Sequence, residues 1–349
     1  MASNAEDVDF VGEILDHVRD QIAVDDEVLS ETKTRRNTVK KAARKFTGGL
    51  KTFDSGSVAH GTTNRPISDA DCGVVLDRRT YPELGPDGED EPPNEIVQEV
   101  ADFVIEEVRE EYPGAEAEVG KRSIVFTFNE PLDETEGAED LDPSVDLIVA
   151  LTRAEDGGRW IPNTEEECWD ASDPEKHTEL LFGPTRGERI HRARVIRLAK
   201  AAVKQDDQPV VSSFNLEALA LEHVSSEETL AESLAELFLS GADDLEEGDT
   251  PDPADVSDPI KLPDGVDRST TVARLREFGE ALEAAIENTE DEPRVREELA
   301  KLFPDYVKPS SSGKEGLAAA LIGGDSAAVG KAVGPGAAGL KRTAAYGDG

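Results

Sequence analysis

Basic residues are scarce in this sequence. Its 349 residues include 37 lysines and arginines against 77 aspartates and glutamates, so the formal net charge is -40. So large an acidic excess is uncommon among soluble enzymes. We interpret it as adaptation to molar salt, in which surface carboxylates keep a protein hydrated and soluble. The alternative is functional acidity, used to mimic nucleic acid or to bind a basic partner.

Cysteine is scarce as well. The two cysteines, Cys72 and Cys168, cannot build a disulfide framework, which favours a reducing compartment. Together with five scattered histidines they give no zinc-ligand spacing. We expect Cys72 to pack inside a strand.

Long hydrophobic runs are missing. The segment 1–7 lacks the basic start and apolar stretch of a signal peptide, and no apolar run is long enough to span a bilayer. We therefore expect a cytoplasmic protein with no membrane partner. Shorter apolar runs at 123–128 and 145–151 are typical of buried strands, which argues against a disordered chain.

The pattern of residues divides the chain into three parts. Residues 1–155 mix strands and helices, which predicts an α+β (mixed α/β) core with a small mixed sheet and N-terminal helices. Residues 156–308 are mostly helical in pattern and form the predicted C-terminal lobe, with an acidic loop at 243–267. Residues 309–349 are rich in glycine and alanine and predict a flexible tail. Asn94 is the predicted cap of a helix in the first part.

A Gly-Ser turn is the most informative local feature, because two aspartates follow it by a dozen residues. Gly56 and Gly61 lack a Cβ, so the backbone can approach phosphate oxygens closely. Ser57 can donate its hydroxyl and its backbone N–H to terminal phosphates. No lysine follows the glycines, so this is not a Walker A loop. We expect His60 to face solvent, with contact to a phosphate as the alternative, and Thr62 to support the turn.

The two aspartates, Asp69 and Asp71, project to the same side of a strand. Like charges so close together repel unless cations lie between them, and Mg²⁺ prefers such hard oxygen ligands. Asp146 is the predicted third carboxylate, because it is a lone acid in an apolar strand, where an unpaired charge is costly. Asp142, in the preceding loop, is the weaker choice. The set predicts a site for two Mg²⁺ ions, with Mn²⁺ as a substitute.

Two basic clusters stand out in so acidic a chain. One lies between residues 33 and 45 and the other between 186 and 204, where Arg197, Lys200 and Lys204 can share one helix face. We interpret both clusters as contacts for a polyphosphate. Local salt bridges to the surrounding acids are the alternative.

These motifs resemble those of the DNA polymerase β-like nucleotidyltransferase superfamily. Further along the chain, Ser172-Asp173-Pro174 with His177, the helix that carries Lys200, and Ser213-Phe214 are similar to the second lobe of the oligoadenylate synthase and cyclic GMP–AMP synthase group. Bacterial members of that group are called CD-NTases. The resemblance covers about residues 8–240.

The resemblance implies roles for the candidate residues. Lys200 and Ser213 would contact the donor triphosphate, as Gly56 and Ser57 would from the turn, and Phe214 would stack on the donor base. An ordinary core aromatic is the alternative for Phe214.

The resemblance also implies how the carboxylates act. Asp69 and Asp71 would bind both metals, while Asp146 would bind one and help to activate the attacking hydroxyl. Ala70 departs from the family pattern, in which a larger aliphatic residue is common. No zinc-binding module is inserted, which argues against nucleic-acid sensing like that of the animal enzyme.

The implied function is that of an enzyme that joins nucleoside triphosphates into a cyclic di- or oligonucleotide messenger and releases pyrophosphate, in antiphage signalling of the CBASS type. One alternative is an RNA-extending nucleotidyltransferase such as a CCA-adding enzyme. The acidic loop at 243–267 argues against it and against a nucleic-acid partner. A catalytically inactive scaffold is the other alternative, which the intact carboxylates argue against.

The C-terminal segment adds one hypothesis. Gly349 is an unhindered glycine after the Gly/Ala-rich stretch. Some CD-NTases are conjugated to targets through such C-termini, so the resemblance implies a conjugation partner at Gly349. A terminal segment without a role is the alternative.

Overall fold

The computed structural model describes residues 9–132, 141–154, 157–206 and 208–310. Its strands form one mixed sheet, which confirms the predicted α+β class. The strands are β1 (Gly49–Ser55), β2 (Asp69–Leu76), β3 (Glu116–Val119), β4 (Ile124–Thr127), β5 (Ser144–Thr152), β6 (Arg159–Asn163) and β7 (Cys168–Ser172).

Helices precede, interrupt and follow the sheet along the chain. Among the described residues, no helix is both long and apolar enough to cross a lipid bilayer. The helices are α1 (Phe10–Gln21), α2 (Asp26–Lys45), α3 (Gly56–His60), α4 (Asn94–Val108), α5 (Pro174–Phe182), α6 (Arg186–Val203), α7 (Ser213–His223), α8 (Leu230–Glu247), α9 (Arg268–Ile286) and α10 (Glu292–Leu299).

The centre of the sheet is the parallel pair β2 and β5. The strand order is β1-β2-β5-β4-β3, and the hairpin of β6 and β7 extends from the end of β5. Nearly every residue of β2 and β5 is buried, and strands covered on both faces read as continuous apolar runs. An acid within such a run therefore needs a specific partner. The register places Asp71 of β2 directly beside Asp146 of β5.

Two large apolar clusters hold the molecule together. In one cluster α2 and α4 pack on a face of the sheet, and Cys72 is buried there as expected. The other cluster joins α6 to α10 and includes the apolar face of α1. The N-terminal helix thus packs with the helical layer and not with the sheet. The predicted boundaries near 155 and 309 stay predictions.

Three predictions of local structure are wrong. Asn94 does not cap α4, since Pro93 occupies the N-cap and the Asn94 side chain donates to the Thr164 carbonyl oxygen at 2.9 Å. The loop predicted to begin at 243 begins after Glu247, because buried Leu245 continues the apolar face of α8. The β6–β7 hairpin lies where a mostly helical pattern was expected. Its strands are short and interrupted by polar residues, so their sequences show no clear alternation of apolar and polar residues.

The members of the α2 basic cluster that are paired contact acids of the protein itself, which favours the salt-bridge alternative over a polyphosphate contact. Arg35 is 1% exposed and donates to Asp142 Oδ1 at 2.5 Å and to two backbone carbonyl groups. Arg36 and Lys40 both pair with Asp54. The salt-bridge alternative is therefore favoured for this helix, and Asp142 is a structural partner of Arg35.

Replacement of Arg35 by alanine tests this assignment. Because the change leaves Asp142 without its buried partner, we expect Arg35→Ala to lower the free energy of unfolding by about 3 kcal/mol. Arg44→Ala, at an exposed position of the same helix, is the matched control, and we expect a change within about 0.5 kcal/mol. Urea unfolding at constant salt measures both. Equal effects of the two changes would contradict the assignment.

Candidate active site

Three carboxylates share one face at the centre of the sheet. Asp69 and Asp71 are separated by buried Ala70 on β2, so both point to the same side. Asp146 is the register partner of Asp71 on β5, and neighbouring strands lie about 4.8 Å apart. The fold therefore brings together the three aspartates that the sequence singled out.

The electrostatics of these carboxylates favour a bound cation. Asp71 is 3% exposed, and its pKa is raised well above the ordinary range by burial, then by the charges of Asp69 and Asp146. Asp146 is 7% exposed and accepts a hydrogen bond from the Ser123 hydroxyl at 3.3 Å. Clustered carboxylate oxygens are hard ligands that suit Mg²⁺. The donor set therefore fits the predicted metal.

A second group of potential metal ligands lies away from these carboxylates. A set of three potential ligands whose atoms all lie within 4.8 Å of one another is found elsewhere, at Glu222, His223 and Asp244. There His223 Nε2 already lies 2.6 Å from Asp244 Oδ2, so the set is satisfied internally.

The Gly-Ser turn lies against the carboxylates. Ser55, the last residue of β1, pairs in register with Asp71, and α3 begins at the next residue. Gly56 has φ +68°, and a Cβ there would overlap the Asp71 carboxylate. A glycine is thus required both by the backbone conformation and by the acid that faces it. Gly61 closes α3 with φ +76°.

A cavity of about 200 Å³ lies between this turn and the helical layer. It brings together every predicted site residue except Asp146, which is paired in register with Asp71 but is not among the lining residues. The chemical roles of these residues stay predictions. The predicted residues on the wall are Gly56, Ser57, Asp69, Asp71, Lys200, Ser213 and Phe214.

A buried polar network forms one side of this cavity, and His60 belongs to it. His60 does not face solvent as expected: it is 6% exposed, with Nδ1 3.0 Å from Glu217 Oε2 and Nε2 3.0 Å from Thr178 Oγ1. Glu217 Oε1 also accepts from Thr62 Oγ1 at 2.6 Å and from Lys200 Nζ at 2.7 Å. Sequence reasoning missed Glu217, although an acid within the apolar run of α7 was a usable signal.

Phe214 lines the cavity and is half-buried, so it is not an ordinary core aromatic. Its ring lies 4.8 Å from that of His177, and His177 Nε2 lies 2.6 Å from Asp252 Oδ1. Burial works to raise the pKa of Asp252, but His177 and three backbone N–H groups hold it well below the ordinary range. The ionised Asp252 therefore fixes the His177 ring, which supports Phe214.

The basic cluster of α6 reaches the cavity at two lysines. Lys200 and Lys204 line the wall. Arg197 does not line the cavity. It donates to Asn64 Oδ1 at 3.1 Å and to the Ile22 carbonyl oxygen at 3.1 Å. Of the basic residues at 186–204, Lys200 and Lys204 are the ones that line the cavity, so we now expect a polyphosphate contact from these two lysines.

A second cavity of about 650 Å³ adjoins the first, and Phe214 lines both. The β6–β7 hairpin and the loop after α8 form its walls. Its charged side chains have both signs and are Lys121, Arg122, Glu166, Asp170, Asp255, Asp258 and Lys261.

Solved structures share this architecture, which is the polymerase β-like nucleotidyltransferase fold in the form found in CD-NTases. CdnC of E. coli MS115-1, solved with HORMA-deltaN, matches with TM-score 0.60 at 15% identity, over 87% of this chain and 100% of that one. CdnG of Bradyrhizobium diazoefficiens, a CD-NTase solved with GTP, matches with TM-score 0.61 at 15% identity, over 84% and 95%. The cyclic AMP-GMP synthase DncV of Vibrio cholerae, solved with a linear intermediate, matches with TM-score 0.53 at 16% identity, over 85% of each chain.

No protein-family model and no curated protein matches the sequence. At the identities of these solved structures, the likeness shows the fold. The predicted resemblance to CD-NTases is thereby confirmed at the level of architecture.

Glycine-to-alanine changes test the contact between the turn and Asp71. Gly56→Ala places a Cβ on the Asp71 carboxylate, and we expect Mn²⁺ binding to weaken about 10- to 100-fold, as when a group that supports a metal ligand is lost. Gly61→Ala is the matched control, with the same positive φ but nothing within 4 Å of the new Cβ. Both changes should cost about 1 kcal/mol of backbone strain. Equal Mn²⁺ affinities in calorimetry would refute the contact.

Proposed function

We propose that this protein is a Mg²⁺-dependent nucleotidyltransferase of the CD-NTase type, which joins nucleoside triphosphates into a cyclic di- or oligonucleotide and releases pyrophosphate. One observation carries the proposal. A single cavity is lined by Ser57 of the turn, by the acids Asp69 and Asp71 of β2, and by Lys200 and Phe214 of the helical layer. That is the set of groups that binding a triphosphate beside metal ligands requires.

The neighbouring structures support the substrate class. CdnG is solved with GTP and DncV with a linear intermediate. For this chain we propose nucleoside triphosphates as both donor and acceptor. The second cavity supports this choice, because about 650 Å³ beside Phe214 is room for another nucleotide. A role in antiphage signalling follows from the same resemblance.

The three aspartates would hold the Mg²⁺ ions. Bound there, the metal would supply positive charge to the triphosphate and to the attacking oxygen. The acids present only oxygen ligands. Burial, and then the charges of Asp69 and Asp146, raise the pKa of Asp71, and a bound cation would offset that penalty on the charged form. The backbone of the turn and the Lys200 ammonium would offset the charge of the outer phosphates.

The chemical step would then depend on positioning. The acceptor hydroxyl forms a bond to the α-phosphorus while the bond between the α-phosphorus and the bridging oxygen breaks, and pyrophosphate leaves. Asp146, within the sheet beside Asp71, would accept the hydroxyl proton. Phe214 would hold the donor base by stacking, and Ser57, Ser213 and Lys200 would hold the triphosphate.

An RNA-extending enzyme is a weaker proposal. It needs a basic surface for the RNA backbone. The basic residues of α2 that could have supplied one are engaged: Arg35, Arg36, Lys40 and Lys45 all pair with acids. The hypothesis of conjugation through Gly349 concerns residues outside the described ones and stays a hypothesis.

Incubation of the protein with labelled nucleoside triphosphates and Mg²⁺ or Mn²⁺, in molar salt, tests the proposed function. We expect a phosphatase-resistant product and released pyrophosphate, both lost in an Asp69→Asn/Asp71→Asn variant because the metal ligands are gone. Asp102→Asn, at an exposed position on α4, is the control and should keep activity.

Three outcomes would count against the proposal. No product from any mixture of triphosphates would refute it, and so would a product that survives the loss of both aspartates. Incorporation that depends on added tRNA would favour the RNA-extending enzyme instead.

A further inference from the structure

Four buried side chains form a closed network beside the cavity, and the proposed function uses only one of them. Its members are His60 and Thr62 from the turn, Lys200 from α6 and Glu217 from α7, each less than 10% exposed. We call it the Glu217 network. It connects the turn that carries Ser57 with the helical layer.

Glu217 accepts every hydrogen bond that it makes in this network. Burial works to raise its pKa, but Lys200 and His60 outweigh burial and hold the pKa well below the ordinary range. The carboxylate is therefore ionised and has no hydrogen to donate. Thr62 Oγ1 donates to Oε1 at 2.6 Å and His60 Nδ1 donates to Oε2 at 3.0 Å.

This arrangement determines the directions of the three N–H bonds of the Lys200 ammonium group. An ammonium group has three N–H donors. Lys200 Nζ gives one to Glu217 Oε1 at 2.7 Å and one to Thr62 Oγ1 at 3.1 Å. Two contacts fix the direction of the third hydrogen, and Lys200 lines the cavity. The third hydrogen is thus available to a group bound there.

Thr62 links this lysine to the phosphate-binding turn. Its hydroxyl donates to Glu217 and accepts from Lys200, while its backbone N–H donates to the Ser57 carbonyl oxygen at 3.0 Å. Any shift of the turn therefore moves the hydroxyl that orients Lys200. The two proposed phosphate contacts, Ser57 and Lys200, are thereby held in one geometry.

We propose that Thr62 and Glu217 are positioning residues, which hold the Lys200 ammonium with its third hydrogen directed at the phosphates of the donor nucleotide. This inference rests on the proposed function for the identity of the ligand. Neither residue touches the reacting atoms. Both act through Lys200.

Thr62→Val is the sharpest test, because it removes the hydroxyl and leaves side-chain shape and net charge nearly unchanged. Glu217→Gln is less informative, since the loss of a negative charge would itself favour an anion. Thr271→Val is the matched control. Thr271 is also fully buried, its hydroxyl donates to the Val210 carbonyl oxygen at 2.9 Å, and it lies in the helical layer away from the cavity.

Calorimetric titration with inorganic tripolyphosphate and Mg²⁺ measures the effect. We expect Thr62→Val to raise the dissociation constant about tenfold, because that is the effect of losing roughly one hydrogen bond to a charged group. Thr271→Val should bind like the wild type. With Lys200→Met already present, adding Thr62→Val should weaken binding no further. Unchanged binding by Thr62→Val, or an equal loss in the Lys200→Met background, would overturn the proposal.

A measurement without ligand separates this inference from the proposed function. In protein labelled with ¹⁵N-lysine, the Lys200 ammonium signal is identified by its loss in Lys200→Met. We expect it to be protected from solvent exchange, to shift in Thr62→Val and to stay in place in Thr271→Val. An unshifted signal in Thr62→Val would overturn the positioning role. Wild-type protein that binds neither tripolyphosphate nor ATP would instead overturn the proposed function.

Discussion

The repulsion among three carboxylates at the centre of the sheet is the constraint on which the rest of the site depends. Parallel pairing of β2 with β5 places Asp71 beside Asp146, and the period of the strand adds Asp69 on the same face. Burial penalises the charged form of Asp71, and the neighbouring charges of Asp69 and Asp146 add to this, so the pKa of Asp71 is raised. Burying these charges costs free energy, at a place in the sheet where an ordinary core would have apolar side chains. A bound cation is the direct way to remove it.

The surroundings of these acids are arranged to keep them in place and to balance them. Gly56 leaves room for the Asp71 carboxylate, which any larger residue would displace. On the opposite wall, Lys200 supplies positive charge but is itself anchored by Glu217. In a chain with a net charge of -40, two lysines line the cavity, and Lys200 is held there by Glu217 and Thr62. The site is therefore a balance of buried charges and not a general basic cleft.

The sequence predicts the parts of this site that depend on local pattern. Asp69, Asp71 and Gly56 are readable from spacing along the chain, and Asp146 from its place in an apolar strand. The network around Lys200 is not readable from the sequence, because Lys200 contacts Thr62 across 138 residues and Glu217 contacts His60 across 157. Arg35 likewise finds Asp142 across 107 residues. Such contacts are fixed by packing of distant elements, so a basic cluster in the sequence does not distinguish an internal salt bridge from a ligand site.

The thermal stability of wild type and Asp71→Asn, compared with EDTA and with Mg²⁺ at constant salt, tests the central claim most directly. The folded-state pKa of Asp71 is raised, so the charged form is penalised. Without metal, the wild type should lose stability relative to the variant as pH rises from about 4 through that raised pKa. At neutral pH the variant should therefore melt higher in EDTA, while Mg²⁺ should stabilise only the wild type. A variant that melts lower in EDTA, or equal stabilisation of both proteins by Mg²⁺, would contradict the account.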